Sequence, residues 1–399
     1  MFGAHGNALT AMRIVIVGGG VMGAATACFL ARDHGIAATV LERDPSYARA
    51  SSALSASSIR QQFSTPVNIA LSRASMAFYR CIASELAVDG EAPDIGLTLR
   101  GYLYLAGAGG EAVMREIHAM QRSQGVAAAL LQPEALRSRF PWLSTDGVAL
   151  GSLGLAGEGW FDGYGVLQAL RRKAIACGAR FVAAEAVGLI GDDGQIATVL
   201  AADGRRFETD AVLVAAGAWS APLLATAGVE MPVHARKRDV FVVDSPALLC
   251  DCPLLIDTSG VWVRPEGRPG RYLTGAPPRG EDRDDVPLGE IDHGLFDAVI
   301  WPALAARIPA FEALRVASSW AGYYEMNSFD HNGLAGPAPG WRNLHLACGF
   351  SGHGMQQAPA VGRSMASWLA RGVWQGVDLT PLAPGRVVEG RPLFERNVI

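Results

Sequence analysis

The sequence predicts an α/β fold, either as one large unit or as two domains, and three observations support it. The chain has 399 residues, a length that suits both arrangements. A β-branched run at 12–18 leads through a glycine loop into an Ala- and Leu-rich segment, which is the order strand, turn, helix. Short apolar strands separated by Asp-Gly turns follow at 187–208, a pattern typical of a β-meander.

The composition is that of an apolar globular protein. Hydrophobic residues make up 50% and charged residues 18% of the chain, which contains 47 glycines. The mean hydropathy is +0.20. High apolar content without a glycine period excludes disorder, collagen and coiled coil. Two uncharged runs, 14–31 and 211–229, are long enough to suggest membrane spans and need another explanation.

Charge and cysteine usage exclude other classes. The net charge of −4 gives no basic footprint, so we expect no nucleic-acid partner. Cys250 and Cys252 lack the two-residue spacer of redox and zinc motifs, so we expect reduced thiols and no metal site. Residues 1–11 show no apolar signal-peptide core and read as an extension before Met12. We therefore expect a cytoplasmic protein.

The first glycine loop predicts a dinucleotide site. Residues 18–23 fit G-x-G-x-x-G between a strand and a helix. In this pattern Gly18 permits the tight turn, Gly20 lets the backbone approach a pyrophosphate, and Gly23 lets helix pack on strand. A second strand ends on Glu42, placed to accept hydrogen bonds from ribose hydroxyls. The first uncharged run is thus a strand, a loop and a helix.

The second uncharged run has a similar explanation. A strand at 210–214 ends in a small-residue turn, and a helix follows with Ser220 as its predicted cap and Pro222 in its first turn. We therefore expect no membrane span. Another predicted helix starts after Asp162 and ends near Gly178.

The residues after Glu42 favour FAD over NAD. A plain NAD domain continues with a crossover helix and strand, whereas 51–60 is a loop of small residues that offers hydroxyls and amides to a nearby pyrophosphate or ribityl chain. A helix is predicted at 66–87 and a strand at 97–105.

A second glycine-rich signature lies near the end of the chain. Residues 349–362 follow an apolar strand at 344–348 and precede a helix that runs to about 371. Gly349-x-Ser351 matches the start of a nucleophile elbow, but His353 replaces its last glycine, which disfavours serine hydrolysis. A helix N-terminus aimed at a cofactor is the better interpretation.

Together these motifs resemble the FAD-dependent amine and amino-acid oxidoreductases, which include D-amino-acid oxidase, glycine oxidase, sarcosine oxidase and dimethylglycine dehydrogenase. The resemblance extends from Arg13 to about Pro381. It implies a Rossmann-like FAD-binding domain interleaved with a substrate domain on a mostly antiparallel sheet. The implied FAD-binding segments are 12–85, 147–232 and 326–380, the substrate segments are 86–146 and 233–325, and 381–399 is a C-terminal tail.

The motifs and the resemblance place cofactor contacts on a defined set of residues. They are Gly18, Gly20, Val21, Met22, Gly23, Glu42, Arg43, Ser51, Ser52, Ala56, Val187, Ala216, Gly217, Trp219, Gly349, Ser351, Gly352, His353, Gly354, Met355 and Gln356. Sarcosine oxidases bond their flavin to a cysteine where this chain has Gly322, so the resemblance implies noncovalent FAD.

The resemblance also implies a reaction, the oxidation of a C–N bond in an amino acid or secondary amine. Arg60 matches an arginine of sarcosine oxidases and is the expected carboxylate anchor. Tyr324 is either a substrate contact or a core aromatic, and His353 either polarises the flavin or is structural. Gln356 replaces the lysine that promotes reaction with oxygen, so we expect a dehydrogenase or a slow oxidase.

Further motifs resemble a mitochondrial member of the family that is linked to assembly of respiratory complex I, which keeps open a flavin-containing scaffold with little turnover. An α-hydroxy-acid dehydrogenase also stays open, because its substrate differs from an amino acid only in the heteroatom that is oxidised. The mitochondrial relative lacks an arginine at the position of Arg60, so that residue favours an enzyme. The substrate, the electron acceptor, and any homo-oligomer or respiratory-chain partner stay open.

Overall fold

The structure is a computed structural model that describes residues 12–396. The predicted extension at 1–11 and the last three residues of the predicted tail, 397–399, lie outside the described residues.

The described strands are numbered in chain order. They are β1 Ile14–Val17, β2 Thr39–Glu42, β3 Ser58–Ile59, β4 Tyr102–Ala106, β5 Ala128–Leu131, β6 Leu150–Gly154, β7 Gly159–Trp160, β8 Arg180–Ala183, β9 Ala186–Asp192, β10 Gln195–Ala201, β11 Arg206–Glu208, β12 Ala211–Val214, β13 Val233–Asp244, β14 Leu254–Ile256, β15 Trp262–Pro265, β16 Arg271–Gly275, β17 Arg315–Asn327, β18 Leu334–Pro337 and β19 Leu344–Cys348.

The described α-helices are numbered in the same way. They are α1 Val21–His34, α2 Ser51–Leu54, α3 Pro66–Arg80, α4 Ile82–Glu85, α5 Glu111–Ser123, α6 Pro133–Arg139, α7 Gly163–Ala176, α8 Ser220–Ala225, α9 His293–Leu295, α10 Trp301–Arg307, α11 Gly354–Arg371 and α12 Gly385–Val388. None of them is long and apolar enough to cross a membrane.

A six-stranded sheet in the order β18-β19-β12-β1-β2-β8 forms the first layer. Its strands pair in parallel, except that β18 is antiparallel to β19. Every residue of β1 is buried, because the sheet is covered on both faces. Ile14 and Ile16 pack in one cluster with α1, α7 and α11, whereas Val15 and Val17 pack in another with the β9–β11 meander.

An eight-stranded sheet in the order β17-β13-β16-β15-β14-β4-β6-β5 forms the second layer. Its described pairs are antiparallel except for β14 with β4. The expected α/β fold with a second, mostly antiparallel sheet is confirmed. Strand β6 belongs to this sheet although it lies inside the predicted FAD-binding segment 147–232, and the domain boundaries themselves stay a prediction.

Local predictions differ from the structure at four places. The strand predicted at 97–105 begins only at Tyr102 and ends at Ala106. The helix predicted at 66–87 is interrupted at Cys81, which ends α3 and precedes α4. The loop predicted at 51–60 contains the single-turn helix α2 and strand β3. Ser220 does not cap α8 but is its first residue, because the 3-10 turn Gly217–Trp219 runs directly into the helix.

Candidate functional site

A cavity of about 700 Å³ extends from the carboxyl edge of the six-stranded sheet to strands β13 and β17 of the eight-stranded sheet. The β1–α1 turn, α2 and the 3-10 turn after β12 line one end. Gly322 and Arg238 of the second sheet line the other end, where they are paired across β17 and β13. Since ligands of parallel α/β sheets bind beyond the carboxyl ends of the strands, this is the expected place for a site.

In the glycine loop at 18–23, the backbone lies very close to neighbouring backbone at two positions. Gly18 has φ +100°, and a Cβ on it would lie 2.3 Å from the carbonyl oxygen of Ala215. A Cβ on Gly23 would lie 1.9 Å from the carbonyl oxygen of Gly18. Both positions therefore require glycine for the turn to lie against the sheet and for α1 to pack on it.

Side chains from two other elements hold this loop in place. The Gly19 amide donates to Glu42 Oε2 at 2.8 Å, and the Val21 amide donates to Ser52 Oγ at 3.0 Å. Glu42 Oε1 also accepts from the Asp44 amide at 2.9 Å. Burial raises the pKa of Glu42, and these amide hydrogen bonds oppose the rise.

Cationic and aromatic side chains line the same end of the cavity. The Arg43 guanidinium carbon lies 3.6 Å from the ring centre of Trp219, and that of Arg49 lies 5.5 Å from it. Guanidinium groups stacked on an aromatic face keep their N–H donors free at the edges, where an anion can be bound.

Arg238 and Tyr324 meet at the opposite end. Two Arg238 nitrogens donate to Asp282 at 2.8 Å each, and the guanidinium carbon lies 5.1 Å from the Tyr324 ring centre. The Tyr324 ring packs on Gly352, where a Cβ would come within 2.5 Å of it. Burial raises the pKa of Tyr324, and the Arg238 charge opposes the rise. Tyr324 is therefore a neutral hydroxyl at neutral pH.

Arg60 lies beside this end but is not part of the cavity lining. Its Nη2 lies 3.2 Å from His353 Nε2. Because a guanidinium only donates, Nε2 is the acceptor and the ring proton is on Nδ1. Burial and the Arg60 charge hold the pKa of His353 well below its usual range. The imidazole is therefore neutral, and its edge-to-face partner Phe63 lies 5.0 Å away between ring centres.

The segment 60–64 has no regular pairing, and side chains accept its amides except that of Phe63, which donates to the Gln61 carbonyl. The Arg60 amide donates to Gln356 Oε1 at 3.0 Å, and the amides of residues 61 and 62 donate to Glu158 Oε1 at 2.7 and 3.1 Å. The Ser64 amide donates to Glu395 Oε1 at 2.6 Å. Hydrogen bonds to carboxylates are stronger than those between neutral groups, so the backbone on either side of Arg60 is held firmly in place.

Comparison with known proteins identifies the fold and the cofactor. The family model described as FAD dependent oxidoreductase matches residues 13–368. The chain belongs to this family. FAD-dependent oxidoreductase domain-containing protein 1 of Xenopus laevis is 41% identical over 97% of this chain and 84% of its own length.

Solved structures agree with this assignment. L-proline dehydrogenase from P. horikoshii superposes with a TM-score of 0.83 at 24% identity, over 96% of this chain and 99% of that chain, which shows the shared fold. Glycine oxidase from Geobacillus kaustophilus gives a TM-score of 0.77 at 25% identity, over 94% and 98% of the two chains. The protein is an FAD-dependent oxidoreductase, as the sequence motifs predict.

The cavity fits FAD in this FAD-dependent oxidoreductase. The N-termini of α1 and α11 both lie at it, and neither N-cap residue caps its helix with its own side chain. The Val21 amide of α1 donates to Ser52, and the helix N-termini otherwise suit anionic phosphates. The Ser51 hydroxyl is buried with no partner among the described residues, as expected for a group that contacts a bound molecule. The volume of about 700 Å³ lies within the range of small-molecule sites.

Most of the predicted site residues are brought together by the fold. The cavity is lined by Gly18, Gly20, Val21, Met22, Glu42, Arg43, Ser51, Ser52, Ala56, Val187, Ala216, Gly217, Trp219, Tyr324, Gly352, Gly354 and Met355. Gly23, Arg60, Gly349, Ser351, His353 and Gln356 are not among its lining residues. They lie just behind the lining.

The residues behind the lining have structural roles that the contacts show. Gly23 packs helix on turn, and Gly349 has φ +71° at the end of β19. The Ser351 hydroxyl accepts from the Asn327 amide at 2.9 Å. Gln356 accepts the Arg60 amide, and Arg60 contacts His353.

Sequence reasoning did not single out several carboxyl groups at the site. Glu325 lines the cavity directly, and Glu158 and Glu395 hold the segment that carries Arg60. The available signal for Glu325 was an acidic residue within the mostly apolar stretch 320–326 of β17. Glu158 follows Gly157 in a turn, and nothing in its sequence neighbourhood distinguishes it from a surface acid.

Proposed function

We propose that this FAD-dependent oxidoreductase oxidises the C–N bond of an amino acid or a secondary amine. The observation that carries the proposal is one cavity with two different ends. The glycine loop between β1 and α1 lies at one end, and the neutral side chain of Tyr324 lies at the other. The buried pair of Arg60 and His353 lies beside Tyr324. In the reaction the carbon beside nitrogen loses a hydride, the nitrogen lone pair forms C=N, and water then hydrolyses the imine. Bound flavin supplies the hydride acceptor.

The carboxylate of the substrate is assigned to Arg60. The guanidinium is fixed by its contact with neutral His353 and by the tightly held backbone of 60–64. A planar guanidinium offers a carboxylate two parallel hydrogen bonds, which orients the substrate as well as binding it. Tyr324 lines the cavity, and its hydroxyl is assigned as a second donor to the same carboxylate.

Gln356 bears on how fast the reduced flavin would react with oxygen. Its side-chain oxygen accepts the Arg60 amide at 3.0 Å and lies 3.5 Å from the Ser72 hydroxyl, so the amide is part of the support behind the site. A neutral amide supplies no fixed positive charge to reduced oxygen. We therefore assign dehydrogenase or slow oxidase activity to this chain, with peroxide formation slow even when the flavin is fully reduced.

Anaerobic reduction of the bound flavin tests the proposal. The holoprotein is mixed with D-, L- and N-methyl amino acids, amines that lack a carboxylate, and α-hydroxy acids, and bleaching of the flavin absorbance is followed. At least one amino acid or N-methyl amino acid is expected to bleach it, and the matching amine without a carboxylate is expected to react far more slowly. Bleaching by hydroxy acids alone, or by nothing, overturns the proposal, and the latter outcome favours the scaffold alternative.

The Arg60→Ala variant tests the assigned anchor. Loss of a charged hydrogen-bond pair costs about 1.5–3 kcal/mol, so KM for the carboxylate substrate is expected to rise by about 10- to 150-fold. Arg236→Ala is the matched control, since Arg236 pairs with Asp284 outside the cavity lining. Unchanged KM in Arg60→Ala removes Arg60 from the site.

A further inference from the structure

Glu325 is a carboxyl group inside the cofactor cavity that none of the steps above uses. It lies on β17 and lines the cavity where two glycine turns come together. A Cβ on Gly354, the first residue of α11, would lie 3.4 Å from Glu325 Oε1. A Cβ on Gly217, in the turn after β12, would lie 3.7 Å from Oε2. The carboxyl group therefore stands between two of the turns that approach the cofactor.

The surroundings of this carboxyl do not provide a counter-charge. Its described contacts are the backbone amides of Gly349 and Phe350, and it forms no ion pair with a lysine, arginine or histidine of residues 12–396. Burial raises the pKa of Glu325 to about 7, against the effect of the two amides. The Glu325 carboxyl is therefore partly protonated at neutral pH before any ligand binds.

Other titratable groups around Glu325 are already engaged. On β13 its register partner is Ala235, and the flanking His234 and Arg236 both pair with Asp284. The Cys348 thiol of β19 also faces it, and burial raises the pKa of that thiol, so it stays protonated.

The starts of α1 and α11 bring no charged side chain to this carboxyl. Met22 of α1 packs near Gly354, and His353 at the start of α11 is neutral. Glu325 thus lies at this end of α11 with its pKa raised to about 7 and without a charged partner on the starts of these two helices.

We propose that Glu325 is a cofactor-binding residue that holds FAD with its carboxyl protonated, so that FAD binding takes up a proton and weakens as the pH rises. FAD carries a pyrophosphate with two negative charges, and an ionised carboxylate in the same water-excluded cavity repels it. A protonated carboxyl instead donates a hydrogen bond to a cofactor oxygen. By linkage, a ligand that binds the protonated form better must take up protons wherever the free group is ionised.

FAD affinity as a function of pH is the direct test. Apoprotein is titrated with FAD between about pH 5.5 and pH 9, and quenching of flavin fluorescence gives Kd. In the wild type Kd is expected to be constant below about pH 6.5 and to rise towards tenfold per pH unit above pH 7. The Glu325→Gln variant keeps a neutral hydrogen-bonding side chain, and its Kd is expected to stay flat above pH 7.

Glu185→Gln is the matched control. Glu185 also lines the cavity but is exposed, so its removal is expected to leave the wild-type pH profile intact. Equal pH profiles for wild type and Glu325→Gln overturn the proposal. A flat wild-type profile overturns it as well.

A measurement on the wild type alone keeps the proposal testable if Glu325→Gln does not fold. Calorimetric titration with FAD at about pH 8, in two buffers of different ionisation enthalpy, counts the protons taken up. Nearly one proton per FAD is expected, and none contradicts the proposal. The inference rests on the FAD dependence of the family and not on amine oxidation, so both tests can succeed or fail whatever the substrate proves to be.

Discussion

Replacing Arg386 by methionine is expected to destabilise the protein strongly. Arg386 Nε and Nη2 donate to the two oxygens of buried Asp330 at 2.8 and 3.0 Å, and the guanidinium also donates to the carbonyl groups of Leu382, Asn332 and Gly333. Without it Asp330 stays buried with only its neutral donors. Removal of one member of such a pair costs about 3–5 kcal/mol, whereas an exposed ion pair contributes about 0–1 kcal/mol.

Equilibrium urea unfolding of the holoprotein, followed by circular dichroism and flavin fluorescence, measures this loss. The double variant Arg386→Met/Asp330→Asn is expected to recover part of it, because no uncompensated charge is left buried. Arg391→Met is the control, since Arg391 pairs with Glu389 on the exposed surface. A loss below about 1 kcal/mol in Arg386→Met, or a double variant no more stable than the single one, would refute the reasoning.

Three further outcomes are expected. Acid precipitation of the holoprotein is expected to release all FAD into the supernatant. Gly322 lines the cavity at the position where the resemblance to sarcosine oxidases would require a cysteine for a covalent bond to the flavin. A yellow pellet would contradict this expectation. Gly23→Ala is expected to weaken FAD binding by about tenfold or more, because its Cβ would lie 1.9 Å from the Gly18 carbonyl oxygen and the loop would have to shift. Gly109→Ala is the control and is expected to leave FAD binding unchanged, because no atom lies within 4 Å of its Cβ. Glu395→Gln is expected to raise KM for a carboxylate substrate and to leave the Kd for FAD unchanged, because Glu395 accepts hydrogen bonds from residues 64–68 beside Arg60. A changed Kd for FAD with an unchanged KM would contradict this prediction.

The fold was predictable where a local pattern has one physical interpretation. The β-branched run of β1 followed by three glycines can form a buried strand and a phosphate loop but not a stable helix. The interruption of the predicted helix at Cys81 has no comparable signal, because no proline or glycine lies near it in the sequence. In the structure Cys81 leaves the helical conformation, with φ −108° and ψ 10°. Tertiary packing overrides propensity there.

The candidate site was predictable for backbone contacts and less so for side chains. Glycines that line the cavity carry their signal in the motif itself, as Gly18 and Gly217 do. The position of the backbone that carries Arg60 depends instead on Glu158, Gln356 and Glu395, which are distant in sequence. No spacing rule brings these residues together, because only the completed fold does so.

The amides of 60–64 have a consequence for the order in which the fold can form. The side chains that accept the amides of Gln61, Arg60 and Ser64 lie 97, 296 and 331 residues further along the chain. Contacts of such long sequence separation form slowly, because a large loop must be closed for each of them. The backbone that carries Arg60 is therefore expected to become ordered late in folding, after the two sheets have formed.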